Sequence, residues 1–252
     1  MNHKVSIIMP TYNSEMFIRE TICSVLNQTY HDFELLICDD CSNDNTTKIL
    51  NNFKKSDNRI KVFLNKTNLG PAVARNVCIK NATGRYIAFL DSDDIWNVNK
   101  LSVQINFMRN HNVAFTYSPF DIINESGNFV KHVIVPDSIN YTGLLKSQVI
   151  GCLTAVYDTN YFDKVYMPEI KRRQDFALWL KLLKLVPNAY SVSQSLCSYR
   201  VSSHSLSSNK FKAIFYTWLV YYKIEKINIF FCVFYFSSYL VHSFKRYFRI
   251  FI

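Results

Sequence analysis

Glycine is scarce in this chain: only 5 of the 252 residues are Gly, and the first of them is Gly70. Neither a GxGxxG motif nor a GxxxxGKS/T motif is therefore present after the first predicted strand or anywhere else. Both motifs need glycine where backbone amides approach phosphate groups, so their absence disfavours a Rossmann dinucleotide site and a P-loop. If this chain binds phosphates, a divalent metal ion assisted by Lys or Arg is the natural substitute.

A secretory signal and a disulfide framework are also missing. The first apolar run ends at Pro10, which is too early for a signal peptide, and the 7 cysteines are odd in number and scattered. We therefore expect reduced thiols and a cytoplasmic protein. Cys38 and Cys41 form a single CxxC without the second pair that a zinc site needs, which favours two ordinary cysteines at a strand end.

Disorder is excluded as a global description, because hydrophobic residues make up 49% of the chain and charged residues only 19%. A chain of this length buries a sizeable core and forms one or two domains. The 29 Lys and Arg against 19 Asp and Glu give a formal net charge of +10. Such a charge favours a polyanionic partner, which leaves nucleic acid, an anionic lipid surface and phosphorylated substrates open.

Apolar strands alternate with helical segments through the first half of the chain. The predicted strands are Val5–Met9, Phe33–Cys38, Ile60–Leu64 and Tyr86–Leu90, and the predicted helices are 16–28, 44–54 (N-capped by Ser42 or Asn43) and 71–81. In the less regular second half the predicted strands are 114–119, 130–136 and 155–157, and the predicted helices are 175–185 and 210–224. This pattern predicts an α/β fold with a mostly parallel sheet covered on both faces by helices.

Polar residues follow each of the first four predicted strands, at the point where the strand ends. The four segments are 10–13, 39–40, 68–70 and 91–94. The carboxyl ends of parallel strands meet at one edge of a sheet, and ligands bind in the crevice outside that edge. We therefore expect these four segments to form one site.

Six aspartates crowd into two short segments of an otherwise basic chain: Asp39, Asp40, Asp44, Asp91, Asp93 and Asp94. Carboxylates at neighbouring strand ends repel one another unless a cation or a set of sugar hydroxyls compensates. Asp91 and Asp93 project to the same side of an extended chain, so one can reach a ribose while the other binds Mg²⁺ or Mn²⁺. Asp39 and Asp40 project to opposite sides, so we expect Asp40 to face the ligand and Asp39 to be structural.

Four motifs, in this order, resemble those of family 2 glycosyltransferases, which have the GT-A fold. They are the opening strand Val5–Asn13, the segment Asp39–Asp44 with Cys41 in place of the usual glycine, Asn68–Asn76, and Gly84–Trp96 with its DxD. The resemblance covers residues 5–96, is looser from 97 to about 210 and is absent from the tail. It predicts a GT-A domain over 1–210 and an aromatic, basic helical tail over 211–252.

The resemblance implies an NDP-sugar donor, a divalent Mg²⁺ or Mn²⁺ ion and inversion at the anomeric carbon. Carried over by position, it places Pro10, Thr11 and Tyr12 in the nucleobase pocket. It assigns five further residues, namely Asp40 to the base, Arg75 to the nucleotide, Asp91 to the ribose and the metal, Asp93 to the metal as main ligand, and Asp94 to their support.

A general base must take the proton of the acceptor hydroxyl if the sugar is inverted in a single displacement. The family places this base as the Asp of a Glu-Asp pair at a helix start. The matching residues here are Gln174 and Asp175, so Gln replaces the usual Glu while Asp175 is the predicted catalytic base. The alternative interpretation is that Asp175 only starts a helix, where the macrodipole favours a carboxylate.

The segment Tyr199–His204 resembles a late segment of the same family. The resemblance implies that Arg200 neutralises the diphosphate leaving group and that His204 contacts that group or the metal. A lone histidine is also commonly an ordinary surface or core residue, and this alternative stays open for His204.

The 18 positions from 227 to 244 contain no Asp, Glu, Lys or Arg. As a helix they would be about 27 Å long, which is the lower limit for crossing a bilayer. Phe230, Phe231 and Phe234, with Lys245 and Arg246 behind them, favour a helix lying in a membrane interface. A transmembrane span, a buried C-terminal helix and a dimer contact are the alternatives. Basic charge near anionic lipid fits a peripheral protein on the inner face of the bacterial inner membrane, with a lipid-linked acceptor.

The sequence thus predicts an inverting, metal-dependent glycosyltransferase of bacterial surface polysaccharide synthesis, acting on a glycan or lipid-linked acceptor. One alternative, a sugar nucleotidyltransferase, shares an acidic metal site but usually has a glycine-rich, basic first loop, unlike Pro10–Asn13. The other alternative is a non-catalytic nucleic-acid-binding protein, suggested by the net charge. The basic residues of this chain are dispersed, and its aspartates would repel a phosphate backbone, so we expect no nucleic acid partner.

Overall fold

The computed structural model describes residues 3–201 and 210–248. In chain order the strands are β1 (Val5–Thr11), β2 (Phe33–Asp39), β3 (Ile60–Leu64), β4 (Tyr86–Phe89), β5 (Ile95–Trp96), β6 (Phe115–Tyr117), β7 (Phe120–Ile123), β8 (Phe129–Val133), β9 (Ser138–Ile139), β10 (Val156–Asp158), β11 (Ala189–Ser191) and β12 (Cys197–Arg200). The helices are α1 (Ile18–Leu26), α2 (Thr46–Ser56), α3 (Pro71–Asn81), α4 (Lys100–His111), α5 (Tyr141–Ser147), α6 (Thr159–Phe162), α7 (Gln174–Leu183), α8 (Lys210–Leu219) and α9 (Ile229–Phe248). A 3-10 turn covers Cys152–Thr154, and a turn of π-helix covers Val220–Ile224.

The main sheet has eight strands in the order β3-β2-β1-β4-β10-β6-β11-β9. The first four of these strands are mutually parallel, β10 runs antiparallel to both neighbours, and β9 runs antiparallel to β11. A second sheet of four short strands has the order β5-β12-β7-β8. The mostly parallel α/β sheet that the alternating pattern predicts is therefore confirmed.

Strands β1 and β2 are buried along their whole length because helices cover both faces of the sheet. Successive side chains of β1 enter two different cores. Ile7 and Met9 pack with residues of α1, whereas Ile8 packs with residues of α3 and α7. The core that contains Ile8 also contains Trp179, whose ring lies 5.2 Å from that of Phe89 at a steep angle. This packing fixes the edge of the sheet from which the site is built.

Two local predictions differ from the structure. The strand predicted over 114–119 is shorter in the structure, where β6 ends at Tyr117. A separate strand, β7, begins after Pro119 in the other sheet, and Pro119 has no backbone N–H for the ladder. The N-cap of α2 is Asn45 rather than Ser42 or Asn43. Ser42 is engaged elsewhere, since its hydroxyl donates to Asp39 and accepts from the backbone N–H of Asn13 at 2.9 Å.

The C-terminal region also differs from the simplest expectation. Within the helix predicted over 210–224, α8 covers only Lys210–Leu219, and a turn of π-helix covers Val220–Ile224. The predicted tail helix is present as α9, and it packs against α5 and α8. Across the described ranges 3–201 and 210–248, no helix has both the length and the hydropathy that crossing a bilayer requires.

The N-terminal edge of the sheet, opposite the predicted site, contains a buried carboxylate. Glu34 is 1% exposed, and it accepts hydrogen bonds from Ser6 Oγ at 2.6 Å and from the backbone N–H of Thr83 at 2.7 Å. Lys61 Nζ lies 2.8 Å from one carboxylate oxygen, and Lys4 Nζ lies 3.3 Å from it. Burial opposes the charge, but these partners outweigh it and lower the pKa of Glu34 to about 2.

Glu34→Gln is expected to lower the free energy of unfolding at pH 7 by roughly 2–3 kcal/mol. Because the folded pKa lies below the unfolded one, the stabilisation is complete above about pH 4.5 and is lost as the pH falls toward 2. Urea unfolding of wild type and variant at pH 7 and at pH 3.5 or below measures this, with the exposed Asp32→Asn as control. If the difference in the free energy of unfolding between wild type and variant did not shrink as the pH falls, the lowered pKa assigned to Glu34 would be wrong.

Candidate active site

The loops that follow β1, β2 and β4 meet at the carboxyl edge of the sheet, as the sequence predicts. The backbone N–H of Asp40 donates to the carbonyl of Thr11 at 2.9 Å, which joins the first two strand ends. The hydroxyls of Ser14 and Ser92 are 2.8 Å apart, which joins the first loop to the aspartate-rich loop 91–94. These polar segments therefore line one site rather than several.

The adjacent aspartates at the end of β2 have different partners. Asp39 accepts from the Thr47 hydroxyl at 3.0 Å and from the backbone N–H of Ser42 at 3.2 Å, so its carboxylate closes the turn into α2. This agrees with the structural role expected for Asp39.

Asp40 is 3% exposed, and its carboxylate holds the loop that leads into α3. It accepts from Asn65 Nδ2 at 2.7 Å, from the backbone N–H of Leu69 at 3.0 Å and from that of Gly70 at 2.6 Å. Gly70 has a φ of 90°, which a residue with a side chain rarely adopts. The predicted contact of Asp40 with a nucleobase stays a prediction, and the structure adds the positioning of this loop.

Arg75 of α3 is 6% exposed, so its guanidinium is buried. Its Nη2 donates to Asp91. Burial of the guanidinium opposes its charge, but the nearby Asp91 and, more weakly, Asp175 outweigh burial and raise the pKa of Arg75. The buried thiol of Cys152 lies in the field of the same three charges. Arg75, Asp91 and Asp175 therefore lie within electrostatic range of the same buried thiol, although 100 residues separate Arg75 from Asp175 in the sequence.

Burial and mutual repulsion act on the carboxylates of the loop after β4. Asp94 is fully buried, and its Oδ1 accepts from the backbone N–H of Arg200 at 2.9 Å. Burial, and then the charges of Asp93 and Asp91, raise the pKa of Asp94 well above its ordinary value. Burial and the charge of Asp91 raise the pKa of Asp93 to about 6. A positive charge placed at this loop would relieve all three groups.

Three buried polar atoms at the site have no hydrogen-bond partner within the described part of the chain. They are Thr11 Oγ1, Arg75 Nε and Asp94 Oδ2. An unpaired buried polar group costs about 1–3 kcal/mol, so such atoms mark places where the polar groups of a ligand or water would bind. The sequence assigned all three residues to the site.

A divalent metal fits this donor set when the substrate supplies the remaining ligands. Among residues 3–201 and 210–248, no three His, Cys, Asp or Glu side chains are arranged to hold a metal by themselves. Mg²⁺ is usually bound by one or two carboxylates together with water and substrate phosphates, so a closed protein cage is unnecessary. Asp91 and Asp93 would hold the ion. The predicted contribution of His204 lies outside the described residues.

Arg200, at the end of β12, is 2% exposed and supports the aspartate loop from behind. Its Nε donates to the carbonyl of Asp93 at 2.9 Å, and its Nη1 donates to the carbonyl of Glu125 at 2.9 Å. Its Nη2 donates to Glu20 Oε2 at 2.6 Å, and the guanidinium carbon lies 4.8 Å from the centre of the Phe17 ring. All three nitrogens are engaged, so the described contacts place Arg200 as a positioning residue, and its contact with a diphosphate stays a prediction.

Asp175 lies in the first turn of α7 and is partly exposed. The helix is anchored through its fully buried Trp179, whereas the backbone of Arg173 at its N-cap is left-handed, with a φ of 65°. Gln174, in place of the usual Glu, is 7% exposed. The carboxylate of Asp175 is therefore partly open to solvent, as a base that reaches a bound acceptor must be, and it lies within electrostatic range of Arg75.

The three residues predicted to line a nucleobase pocket differ in exposure. Pro10 and Thr11 end β1 and are buried, whereas Tyr12 is 48% exposed on the loop that follows. A ring at that place could stack on a base, and the pocket itself stays a prediction. The sequence did not identify Glu20, since a lone acidic residue in a first helical turn is common and carries no functional signal.

A mostly parallel sheet with Arg75, Asp91 and Asp93 at its carboxyl edge has these residues where α/β enzymes bind their ligands. The family model for Glycosyl transferase family 2 matches residues 6–167 of this chain. The chain belongs to this family, which confirms both the recognition and the enzyme class expected from the motifs.

Curated relatives cover nearly the same length. The chain is 41% identical over 243 residues to TuaG of Bacillus subtilis (strain 168), whose name places it as a glycosyltransferase in teichuronic acid biosynthesis; the match covers 96% of each chain. It is 46% identical over 221 residues to WfgD of Escherichia coli, covering 86% of this chain and 85% of that protein. WfgD is named as a UDP-Glc:alpha-D-GlcNAc-diphosphoundecaprenol beta-1,3-glucosyltransferase.

Solved structures confirm the GT-A fold. TarS 1-349 of S. aureus in complex with UDP-GlcNAc superposes with a TM-score of 0.70 at 23% identity, covering 87% of this chain and 67% of that one. The mannosyltransferase PcManGT of Pyrobaculum calidifontis, in complex with GDP-Man and Mn²⁺, gives a TM-score of 0.70 at 14% identity, covering 90% and 66%. At these identities the likeness establishes the fold alone.

Proposed function

We propose that this glycosyltransferase moves a sugar, with inversion, from a UDP-sugar to a hydroxyl of a lipid-linked glycan in bacterial surface polysaccharide synthesis. The observation that carries the proposal is the ion pair of the buried Arg75 with Asp91 next to Asp93, with the partly exposed Asp175 close enough to act on Arg75 electrostatically. Cation, carboxylate and accessible base are the groups that a single displacement on a nucleotide sugar requires. We also propose that residues 1–210 form the transferase domain and 211–252 an appended helical tail.

The donor side of the site is assigned to Asp91, Asp93 and Arg75. When a divalent ion is bound, it neutralises the charge that develops on the leaving diphosphate. Asp91 and Asp93 would hold that ion, and Asp94 supports their loop through its bond to the backbone of Arg200 at 2.9 Å. The buried guanidinium of Arg75 fixes the Asp91 carboxylate and leaves its own Nε available for a ligand oxygen.

The acceptor side is assigned to Asp175. Its carboxylate takes the proton of the attacking hydroxyl. A single attack on the face opposite the leaving diphosphate inverts the anomeric carbon. In the alternative, Asp175 only starts α7 and its carboxylate takes no part in transfer.

The acceptor class is proposed from the relatives. WfgD and WfaP, both from Escherichia coli, are named for transfer of glucose from UDP-Glc to GlcNAc-diphosphoundecaprenol. WfaP is 41% identical to this chain over 213 residues. We propose a similar polyprenyl-diphosphate-linked glycan as the acceptor, and hence a peripheral position on the inner face of the bacterial inner membrane.

A panel of UDP-, GDP- and dTDP-sugars with Mg²⁺ or Mn²⁺, and a GlcNAc-diphosphate-lipid acceptor, tests this function. We expect release of UDP from one hexose donor, at a rate that chelation of the metal lowers at least about 100-fold. NMR of the product should show the anomeric configuration opposite to that of the donor. Release of inorganic diphosphate from a nucleoside triphosphate would instead support a nucleotidyltransferase, and a retained configuration would overturn the role of Asp175.

A further inference from the structure

Helix α9 presents a broad apolar surface to solvent. Phe230, Phe231 and Phe234 are 81%, 59% and 56% exposed, and further along the helix Leu240 and Val241 are 38% and 51% exposed. These five residues, which we call the α9 face, cover one side of the helix over about three turns. Exposed apolar patches of this extent on one element mark an interaction surface.

The charge along α9 and in the sequence after it is of one sign. The sequence from 226 to 252 contains no Asp or Glu, whereas Lys226 precedes the helix and Lys245, Arg246 and Arg249 lie at or beyond its end. Lys146 of α5 lies over the Phe234 ring, with its Nζ 5.4 Å from the ring centre. An aromatic face with basic residues at both ends is complementary to an anionic lipid surface.

We propose that the α9 face binds in the interface of an anionic phospholipid membrane. A second copy of the chain is the less suitable occupant, because two such faces would bring like charges together at both ends. A lipid headgroup layer instead attracts these charges while its acyl boundary accepts the phenylalanine rings. The inference deepens the proposed function, on which it rests only for the lipid-linked acceptor.

The buried side of α9 connects this surface to the active site. Tyr239 is 7% exposed, and its hydroxyl accepts a hydrogen bond from Arg173 Nη2 at 2.9 Å. Arg173 is the N-cap of α7 and comes two residues before Asp175. The helix that binds lipid is therefore held against the start of the helix that carries the base, which brings a membrane-embedded acceptor toward the acceptor side of the site.

Flotation of the full chain with vesicles tests the α9 face. Vesicles of phosphatidylcholine alone are compared with an equal mixture of phosphatidylcholine and phosphatidylglycerol. We expect wild type to bind the mixed vesicles, and the triple variant Phe230→Ser, Phe231→Ser, Phe234→Ser to bind them at least about tenfold more weakly. These residues are exposed, so the variant should fold, and its thermal unfolding checks this.

The matched control removes three equally exposed apolar residues from the β7–β8 hairpin: Phe129→Ser, Val130→Ser, Ile134→Ser. These residues are 65%, 55% and 82% exposed, and we expect their variant to bind vesicles as wild type does. Three results would overturn the inference. They are an equal loss of vesicle binding in both triple variants, no binding of wild type to mixed vesicles, and a dimer that only the α9 variant dissociates. Vesicle binding without sugar transfer would leave it standing and count against the proposed function alone.

Discussion

Asp175→Asn is expected to lower the rate of sugar transfer by about 1000-fold, within the range of 10²–10⁴ that a general base contributes. The amide keeps the size of the carboxylate but cannot take the proton of the acceptor hydroxyl. Because the proposal assigns Asp175 to the acceptor and not to the donor, the dissociation constant for the UDP-sugar should stay within about twofold. Transfer rates at saturating donor, together with calorimetric donor binding, measure the two effects separately.

Two further variants make this result specific to proton transfer. Asp32→Asn changes the same chemical group at the opposite, exposed edge of the sheet and should leave transfer unchanged. Asp175→Glu retains a base on a longer side chain and should recover part of the lost rate. If Asp175→Asn turned over at the wild-type rate, the base would lie elsewhere, and the carboxylate would be only the start of α7.

Asp93→Ala is expected to have the second largest effect, a loss of about 100- to 1000-fold in transfer together with the loss of its dependence on Mn²⁺. Burial and the charge of Asp91 raise the pKa of Asp93 to about 6, so the charge of this carboxylate is costly without a cation. Removing it should therefore weaken metal binding without destabilising the fold. Titration of Mn²⁺ by electron paramagnetic resonance, alongside thermal unfolding, checks both statements.

Full activity of Asp93→Ala with unchanged Mn²⁺ affinity would remove the metal from this loop altogether. Asp32→Asn again serves as the matched control. The result also bears on Arg200, which holds the backbone carbonyl of Asp93 at 2.9 Å. That contact fixes the loop whether or not the Asp93 carboxylate is present, so the variant tests the carboxylate and not the shape of the loop.

Local sequence patterns predicted the strands of the first half because each is a short apolar run ended by polar residues. The residues at those ends, such as Asp91 and Asp93, could be assigned together because the carboxyl ends of parallel strands always share an edge. The four motifs then added the family. Arg75 and Asp175 were assigned by resemblance, and the structure pairs Arg75 with Asp91.

Contacts between distant residues could not be predicted in the same way. Arg200 binds Glu20, 180 residues away, and neither residue has a local pattern that announces the other. The engagement of Asp40 by the loop before α3 is likewise a tertiary contact, which depends on how Gly70 turns the backbone. The end of β6 at Tyr117 and the start of β7 in the other sheet depend on Pro119 and on which sheet each strand can join.

The hydrogen bond between Arg173 and Tyr239 has a consequence for how this enzyme can be dissected. A shortened chain that stops before residue 229, made to improve handling in solution, would also lose the hydroxyl that accepts from Arg173. The left-handed backbone of Arg173, the N-cap of α7, would then be maintained by the remaining contacts of α7 alone. Kinetic constants from such a fragment would describe an altered catalytic centre. Truncations and C-terminal fusion tags should therefore leave the hydrogen bond between Arg173 and Tyr239 intact.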